Sequence, residues 1–487
     1  MSSLAGLRHG RRGDGDIISK ITVRSYFTIK EYKNKENILR FRSKHLTFSV
    51  KHYKMIFNSM RGMIILAVIK AFKGLRFSKT AGDISALVCP PYDIISDEER
   101  KAFLATNEHN VIRLELPREG ENPYNEAGSV LDKWMNDGVL KKEDAPSIYI
   151  YEELFTANGQ NYSVKGLICR VKIEEFSANV VLPHEETLSK AKTDRFDLMS
   201  ATNCNFSQIY SLYNDDGTCE NIIDVISKGE PNISLTDDEG VTHRMWIVPE
   251  NSEVTQLIAA FGDKKLYIAD GHHRYETALN YRNHLRAQGV PIGAESDYVM
   301  MCLVAMENKG LVVFPTHRIV RDLKGFDENL VLEKCAQYFD IESFADEKSA
   351  QAALDTAYAN DKKAFVLYTG KYTLLILKDI SVMKDILQGC SDALRGLDVT
   401  VLHSLVLERI FGIDKENMAA QINLTYTKAA DDAINAVDSG KANCAFLLNP
   451  TRVTEIRDVA ATGEKMPQKS TYFYPKLITG LVMNSFK

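Results

Sequence analysis

The segment Lys-Leu-Tyr-Ile-Ala-Asp-Gly-His-His-Arg-Tyr-Glu-Thr-Ala-Leu, residues 265–279, constrains the fold more than any other part of the chain. An apolar run stops at Asp270-Gly271 and apolar positions then resume at helical spacing, which predicts a strand, a tight turn and the start of a helix. The first turn of a helix carries unpaired backbone N–H groups and partial positive charge, so it suits an anion. Gly271 would let the main chain approach such a ligand, and His272, His273 and Arg274 stand beside it, so the turn is suited to a phosphate. The structural alternative is that Asp270 caps the helix, with the histidines exposed or bonded to backbone.

With 487 residues and 45% hydrophobic content, the chain has room for two or three domains with a sizeable core. Its eight cysteines are scattered with no Cys-x-x-Cys pair, which argues against zinc and disulfide scaffolds and fits a reducing cytoplasm. The net charge of −5 hides a split: residues 1–62 hold 14 Lys and Arg against 4 Asp and Glu, leaving 46 against 61 for residues 63–487. An acidic body argues against broad binding to nucleic acid. The basic segment has the composition of a targeting peptide or a nucleic-acid-binding arm, but the preferred reading is upstream sequence included by a mis-assigned start. Methionines crowd this point at 55, 60 and 63, and Met63 opens what reads as the first strand of a domain. The apolar run 63–69 is too short to span a membrane, and no membrane partner is expected.

Beyond residue 63 the body reads as mixed α/β. Helical spacing covers 97–106 and 124–136, and the runs from 145 and 162 form a hairpin across Asn158-Gly159. Residues 298–305 and 311–314 read as strands split by a Lys-Gly turn. From about 325 helices dominate, interrupted by a hairpin over 364–377; helices follow near 398–411 and 427–439, and a buried strand at 444–449 leads through Pro450 into a short helix. The expected division is a basic extension at 1–62, an N-terminal α/β part at 63–160, a core at 161–325 and a C-terminal α/β part at 326–487.

Two further constellations carry chemistry. In Val181 to Leu188, Pro183 closes a strand, so His184, Glu185 and Glu186 fall on the outgoing loop, ahead of Lys190, Lys192, Asp194 and Arg195. Near the C-terminus, Lys469, Ser470 and Thr471 offer a cation and two hydroxyls suited to an oxyanion, while Tyr472, Phe473 and Tyr474 read as an edge strand packing inward. The plain alternative is a solvated loop for the first and an edge strand with inward-packed aromatics for the second. Asp93 in a rigid Pro-Pro-Tyr-Asp turn, and His317 with Arg318 after a strand, are further candidates for the cleft; Asp194-Arg195 is either a local ion pair or a ligand contact.

Across nearly all of 63–487 the chain resembles a bacterial and archaeal family, the domain of unknown function 1015, often labelled ParB- or Spo0J-like for its Asp-Gly-His-His-Arg turn. The matching segments are Phe72 to Arg76, Cys89 to Ser96, His184 to Thr187, Asp194-Arg195, Asp270 to Tyr275, Pro315 to Arg318 and Met466 to Lys476. Pro183-His184-Glu185, Asp270 to Arg274 and the Pro-x-Lys-Ser-Thr stretch at 467–471 also resemble, in the same order, motifs of free serine kinases on a ParB/sulfiredoxin-like core. The 84 positions between Glu185 and Asp270 exceed the kinase spacing and mark an insertion.

That resemblance implies phosphorylation of the hydroxyl of free L-serine. Glu185 would accept the serine proton, and Asp270 would orient the hydroxyl or a metal-bound water. Gly271, His272, His273 and Arg274 would cradle donor phosphates, while His184, Lys469, Ser470 and Thr471 would meet the substrate. Phosphoryl transfer to an alcohol generally uses a divalent metal, expected to be Mg²⁺, whose ligands are not readable from the sequence. No Gly-x-x-x-x-Gly-Lys-Ser/Thr loop or Gly-rich flap is present, so pyrophosphate, ADP and ATP all stand as donors. The rival readings are a ParB-like nucleotide-dependent DNA-binding protein and a non-catalytic sensor of a phosphate metabolite.

Overall fold

The computed structural model describes residues 41–43, 46–48, 67–187 and 189–487, in two compact units, Met1–Ile64 and Ile65–Lys487. In the first, Phe41–Ser43 and Leu46–Phe48 pair antiparallel. The rest of residues 1–62, and with it the reading of a mis-assigned start, lies outside the described residues, as does the opening of the strand read from Met63.

The second unit is organised by two sheets. The larger has nine strands: β1 (Ile69–Lys70), β2 (Ser147–Ala157), β3 (Gln160–Lys172), β4 (Val181–Leu182), β5 (Ile209–Tyr213), β6 (Ile233–Thr236), β7 (Thr242–Pro249), β8 (Leu266–Asp270) and β9 (Tyr298–Ala305). Their order is β6-β7-β2-β3-β9-β5-β8-β4, with β1 also on β3. Only the β5–β9 and β8–β4 pairs are parallel. Asn158 and Gly159 both adopt positive φ, at 50° and 72°, the backbone a two-residue turn needs to join β2 to β3. β9 is buried on both faces: Val299, Met301, Leu303 and Ala305 enter one core, Met300, Cys302 and Val304 the other.

Helices α1 (Asp97–Thr106) and α2 (Pro123–Asn136) share a separate core with Leu75, Leu140 and Phe206, whereas α3 (Ser189–Thr202) and α4 (His272–Ala287) pack on this sheet. Ser96 and Glu99 form a capping box at α1, and Asn122 caps α2 with Pro123 in its first turn. α3 packs against both α2 and α4, which holds α4 where it leaves β8.

The C-terminal part differs from the helix-dominated expectation. β10 (Val312–Phe314) does not join β9 across the Lys-Gly turn; it pairs with residues 472–474. β11 (His317–Val320), β12 (Phe339–Phe344), β13 (Ala364–Tyr368), β14 (Tyr372–Leu377), β15 (Leu424–Thr427) and β16 (Cys444–Leu448) form a six-stranded antiparallel sheet in the order β12-β14-β13-β16-β11-β15. α5 (Glu347–Ala359) and α6 (Ala430–Asp438) pack on it through Leu354, Ala357 and Ala433. The expected hairpin at 364–377 is present as β13 and β14, and the buried strand at 444–449 as β16. Of the helix expected near 398–411, Asp398–Val401 is α-helical and Leu402–Glu408 is π-helical. Among the described residues no helix is long and apolar enough to cross a membrane.

Candidate functional site

β8 delivers Asp270 to the edge of the core, because Leu266 and Ile268 occupy the helix-facing side and Asp270 continues that alternation. Gly271 turns the chain with φ of 91°, and a Cβ there would lie 2.9 Å from Arg274 Nε. The position therefore demands glycine. α4 starts at once, with His272, His273 and Arg274 in its first turn. Asp270 does not cap it. Its carboxylate instead joins two cations, with Oδ2 2.5 Å from Arg274 Nη2 and Oδ1 2.5 Å from Lys476 Nζ. Burial works against ionisation, yet Lys476 and Arg274 hold this carboxyl well below the usual range. Arg274 also donates to the Gln208 carbonyl at 2.5 Å.

His184 is buried and spans two segments. Its Nδ1–H donates to the Ile268 carbonyl at 2.7 Å, leaving Nε2 to accept from the Thr471 hydroxyl at 3.1 Å. The His184 main-chain N–H donates to His272 Nε2 at 3.3 Å, and the two rings meet edge-on with centroids 4.6 Å apart. Burial lowers the pKa of both imidazoles, His272 far more, so the neutral forms prevail. Neutral His272, accepting at Nε2, carries its proton on Nδ1, which lies 3.6 Å from Glu185 Oε2.

Glu185 also borders the C-terminal segment. It forms an isolated parallel bridge with Met466, whose N–H donates to the His184 carbonyl at 2.7 Å. Lys469 takes the left-handed conformation, φ 55°, and its N–H approaches Glu185 Oε1 at 3.4 Å. The structure thus brings together 184–185, 270–274 and 466–476, three pieces far apart in sequence. Within the last, the Ser470 hydroxyl donates to the Pro467 carbonyl at 2.5 Å and Thr471 is engaged with His184, so the exposed Lys469 side chain is the group of that trio directed to solvent.

A family model described as a protein of unknown function, DUF1015, matches residues 69–400. The chain belongs to this family. No curated protein matches it. Among solved structures it is similar to a free serine kinase variant in complex with AMP, at 11% identity over 65% of this chain and 93% of that one, TM-score 0.33. It is also similar to a conserved hypothetical protein from Pyrococcus furiosus, at 14% identity over 65% and 95%, TM-score 0.31. A third is SbnI with a C-terminal truncation from Staphylococcus aureus, at 10% identity over 65% and 86%, TM-score 0.32.

The remaining candidates of this DUF1015 protein divide. Asp93, in a 3-10 turn at Tyr92–Ile94, lies within electrostatic reach of Arg274, Lys476 and His273. Burial lowers the pKa of His273, with Glu185 and Asp93 acting in the opposite sense. Arg195 forms the local ion pair, 2.6 Å from Asp194, and stacks over Tyr92 with its guanidinium 4.0 Å from the ring centre. A cavity of about 40 Å³ between Arg195 and Arg274 is lined also by Glu115, Ser207 and Thr277. His317 is a core residue whose Nδ1 accepts the Leu448 N–H at 3.1 Å. Two residues of the arrangement were not singled out in the sequence. Lys476 ends the Lys-Ser-Thr segment beside its aromatic strand, and only the fold brings it to Asp270. Glu276 sits four residues after His272, a helical spacing that could have flagged it; it accepts from Thr187 at 2.7 Å and Lys192 at 2.9 Å, tying the Glu185 loop to α4. Among the described residues no three His, Cys, Asp or Glu side chains cluster as a metal site.

Proposed function

We propose that this DUF1015 protein is a small-molecule phosphotransferase that phosphorylates the hydroxyl of free L-serine, on a ParB/sulfiredoxin-like core. The observation that carries this reading is the placement of the Glu185 carboxylate 3.6 Å from His272, at the N-terminal end of the sixteen-residue helix α4. A carboxylate beside a helix end suited to anions offers the two things phosphoryl transfer to an alcohol needs: a proton acceptor and a place for the migrating group. Glu185 takes the serine hydroxyl proton as that oxygen bonds to phosphorus, and the bridging P–O bond breaks with its electron pair leaving on the donor remnant. Asp270 holds Arg274 and Lys476 as a fixed cationic pair next to the helix end, preorganised before substrate arrives. The acceptor itself is taken from the resemblance of three motifs, in the same order, to those of free serine kinases; the donor is pyrophosphate, ADP or ATP.

Mg²⁺ belongs to this reading as the partner of the donor phosphates. Such an ion usually keeps water and binds through one or two carboxylates plus phosphate oxygens. Asp93, within electrostatic reach of His273, Arg274 and Lys476, is the carboxylate that would be available to it while Glu185 serves as the base.

The test is to incubate the protein with L-serine, Mg²⁺ and, separately, ATP, ADP or pyrophosphate, and to measure O-phosphoserine. Product is expected with at least one donor, and Glu185→Gln should lower turnover by at least about a hundredfold while leaving the melting temperature unchanged. Absence of product with all three overturns the reading. Thermal stabilisation by pyrophosphate without product would indicate a sensor instead, and a salt-dependent shift of DNA by residues 63–487 a DNA-binding protein.

A further inference from the structure

Arg318 lies in β11, between β16 and the edge strand β15 of the second sheet, and is 1% exposed. Its guanidinium is spent almost wholly on main-chain carbonyls. Nη2 donates to Lys469 O at 3.1 Å and Gln468 O at 3.3 Å, Nη1 donates to Thr316 O, and Nε faces His403 Nε2 at 3.3 Å on the π-helical turn. The Tyr426 ring lies 5.4 Å away. Among the described residues these acceptors are all neutral. Burial lowers the pKa of Arg318 to about 10, so at neutral pH it remains a buried cation.

A guanidinium in such a place is expensive, and an apolar side chain of similar volume would pack there with less penalty. What an apolar group cannot do is donate from Nη2 to two consecutive carbonyls while Nη1 and Nε hold Thr316 O and His403, a planar set of donors that arginine provides and the single ammonium of lysine does not. Those carbonyls belong to the turn that meets Glu185. Gln468 C=O and Lys469 N–H are the two ends of one peptide unit, and in a planar trans peptide they point in opposite directions. Arg318 donates to the oxygen end, and Glu185 Oε1 lies 3.4 Å from the N–H end. A charge-assisted donor on the carbonyl polarises the N–H of the same amide, so the two contacts reinforce one another. The same turn is held by Ser470 on Pro467 and by Thr451 on Ser470, which leaves it little freedom once Arg318 is in place.

We propose that Arg318 is a positioning residue for Glu185, acting from the second sheet through the peptide unit that joins Gln468 to Lys469. This rests on Glu185 being the base of the phosphotransfer reading. The second sheet then serves the site without touching substrate.

The experiment is a double-mutant cycle on the full chain, with O-phosphoserine formation measured for wild type, Arg318→Met, Glu185→Gln and the double variant. Arg318→Met is expected to lower kcat at least about tenfold with the serine KM changed less than about twofold, and to cause no further loss once Glu185 is glutamine. Losses that multiply in the double variant, or a change confined to KM, would overturn the proposal, since a general packing role acts independently of Glu185. Arg318→Lys, which keeps the charge without the fork, repeats the cycle if the Met variant does not fold, and is expected to recover only part of the loss. Should wild type form no phosphoserine, the base reading fails on its own. Amide exchange then decides the positioning role: loss of protection confined to 468–471 in the Arg318 variants supports it, and unchanged protection there refutes it.

Discussion

Asp270 binds two cations through short ion pairs where a simple helix cap was the plain alternative. Arg274 and Lys476 are 11% and 13% exposed at the side chain, so replacing their shared partner with a neutral amide leaves two like charges facing one another with little solvent. Breaking a buried pair in this way typically costs about 3–5 kcal/mol, and Asp270→Asn should show a loss of that order in urea melts at pH 7. The carboxyl is held below its ordinary pKa, so its contribution is complete above the unfolded value of about 3.9 and disappears as pH falls through the lower folded value. Wild type and variant should therefore converge in strong acid, and a difference below about 1 kcal/mol at pH 7 would mean that the two cations do not depend on Asp270. The glycine, the two histidines and the arginine of this bend were legible because strand, turn and helix start are neighbours in sequence. That Arg274 would bond to Gln208, and Asp270 to Lys476, was not, since nothing local encodes a partner 66 or 206 positions away.

Between β2 and β7 a polar chain runs through the core. Tyr151 Oη lies 2.6 Å from His243 Nδ1 and 3.2 Å from Glu153 Oε1, and His243 Nε2 lies 3.0 Å from Asp237 Oδ2. Burial pushes Glu153 up to about 7, with His243 and Tyr151 opposing it. Its unfolded counterpart ionises near pH 4.3, so between those values the native state binds more protons and stability falls as pH rises. Asp398, raised to about 7 by burial, acts in the same sense. Glu153→Gln should reduce the stability difference between pH 5 and pH 7.5; an identical difference in variant and wild type would exclude Glu153 as a source. At this scale the sequence was most informative where signals were local, as with the helical spacing over 97–106 and 124–136 and the Asn158-Gly159 hairpin. It was least informative where partner choice set the element. Val312–Phe314 pairs with Tyr472–Tyr474 rather than with β9, and β12 is an edge strand on which only Phe339 is buried, leaving almost no hydrophobic alternation to read.

The last twenty or so residues fasten the second unit together. Met466 bonds to His184, Tyr472–Tyr474 pairs with β10, Thr479 with Cys89, Met483 with Leu75, and Phe486 with Asn203. This strap buries Met466, Phe473, Leu477, Ile478, Leu481, Val482 and Met483. At roughly 1.5–3 kcal/mol for each such side chain, the strap contributes on the order of 10 kcal/mol, comparable to the whole stability of an ordinary domain. A chain ending at Lys465 should therefore lose cooperative unfolding by circular dichroism, and retention of a sharp transition would show that the strap is peripheral. By itself the sequence determined the features that neighbouring residues set: a mixed α/β body and three short polar clusters, namely the strand-turn-helix at Asp270, the loop carrying Glu185 and the run Lys469 to Thr471. Tertiary structure alone decided that those clusters meet, that Asp270 pairs with Lys476 rather than capping α4, and that a second sheet stands behind the 467–470 turn. The physical reason is that helix starts, turns and alternation are set by interactions over a few residues, whereas the position of a carboxylate against a distant peptide is set by how two sheets and a C-terminal strap pack.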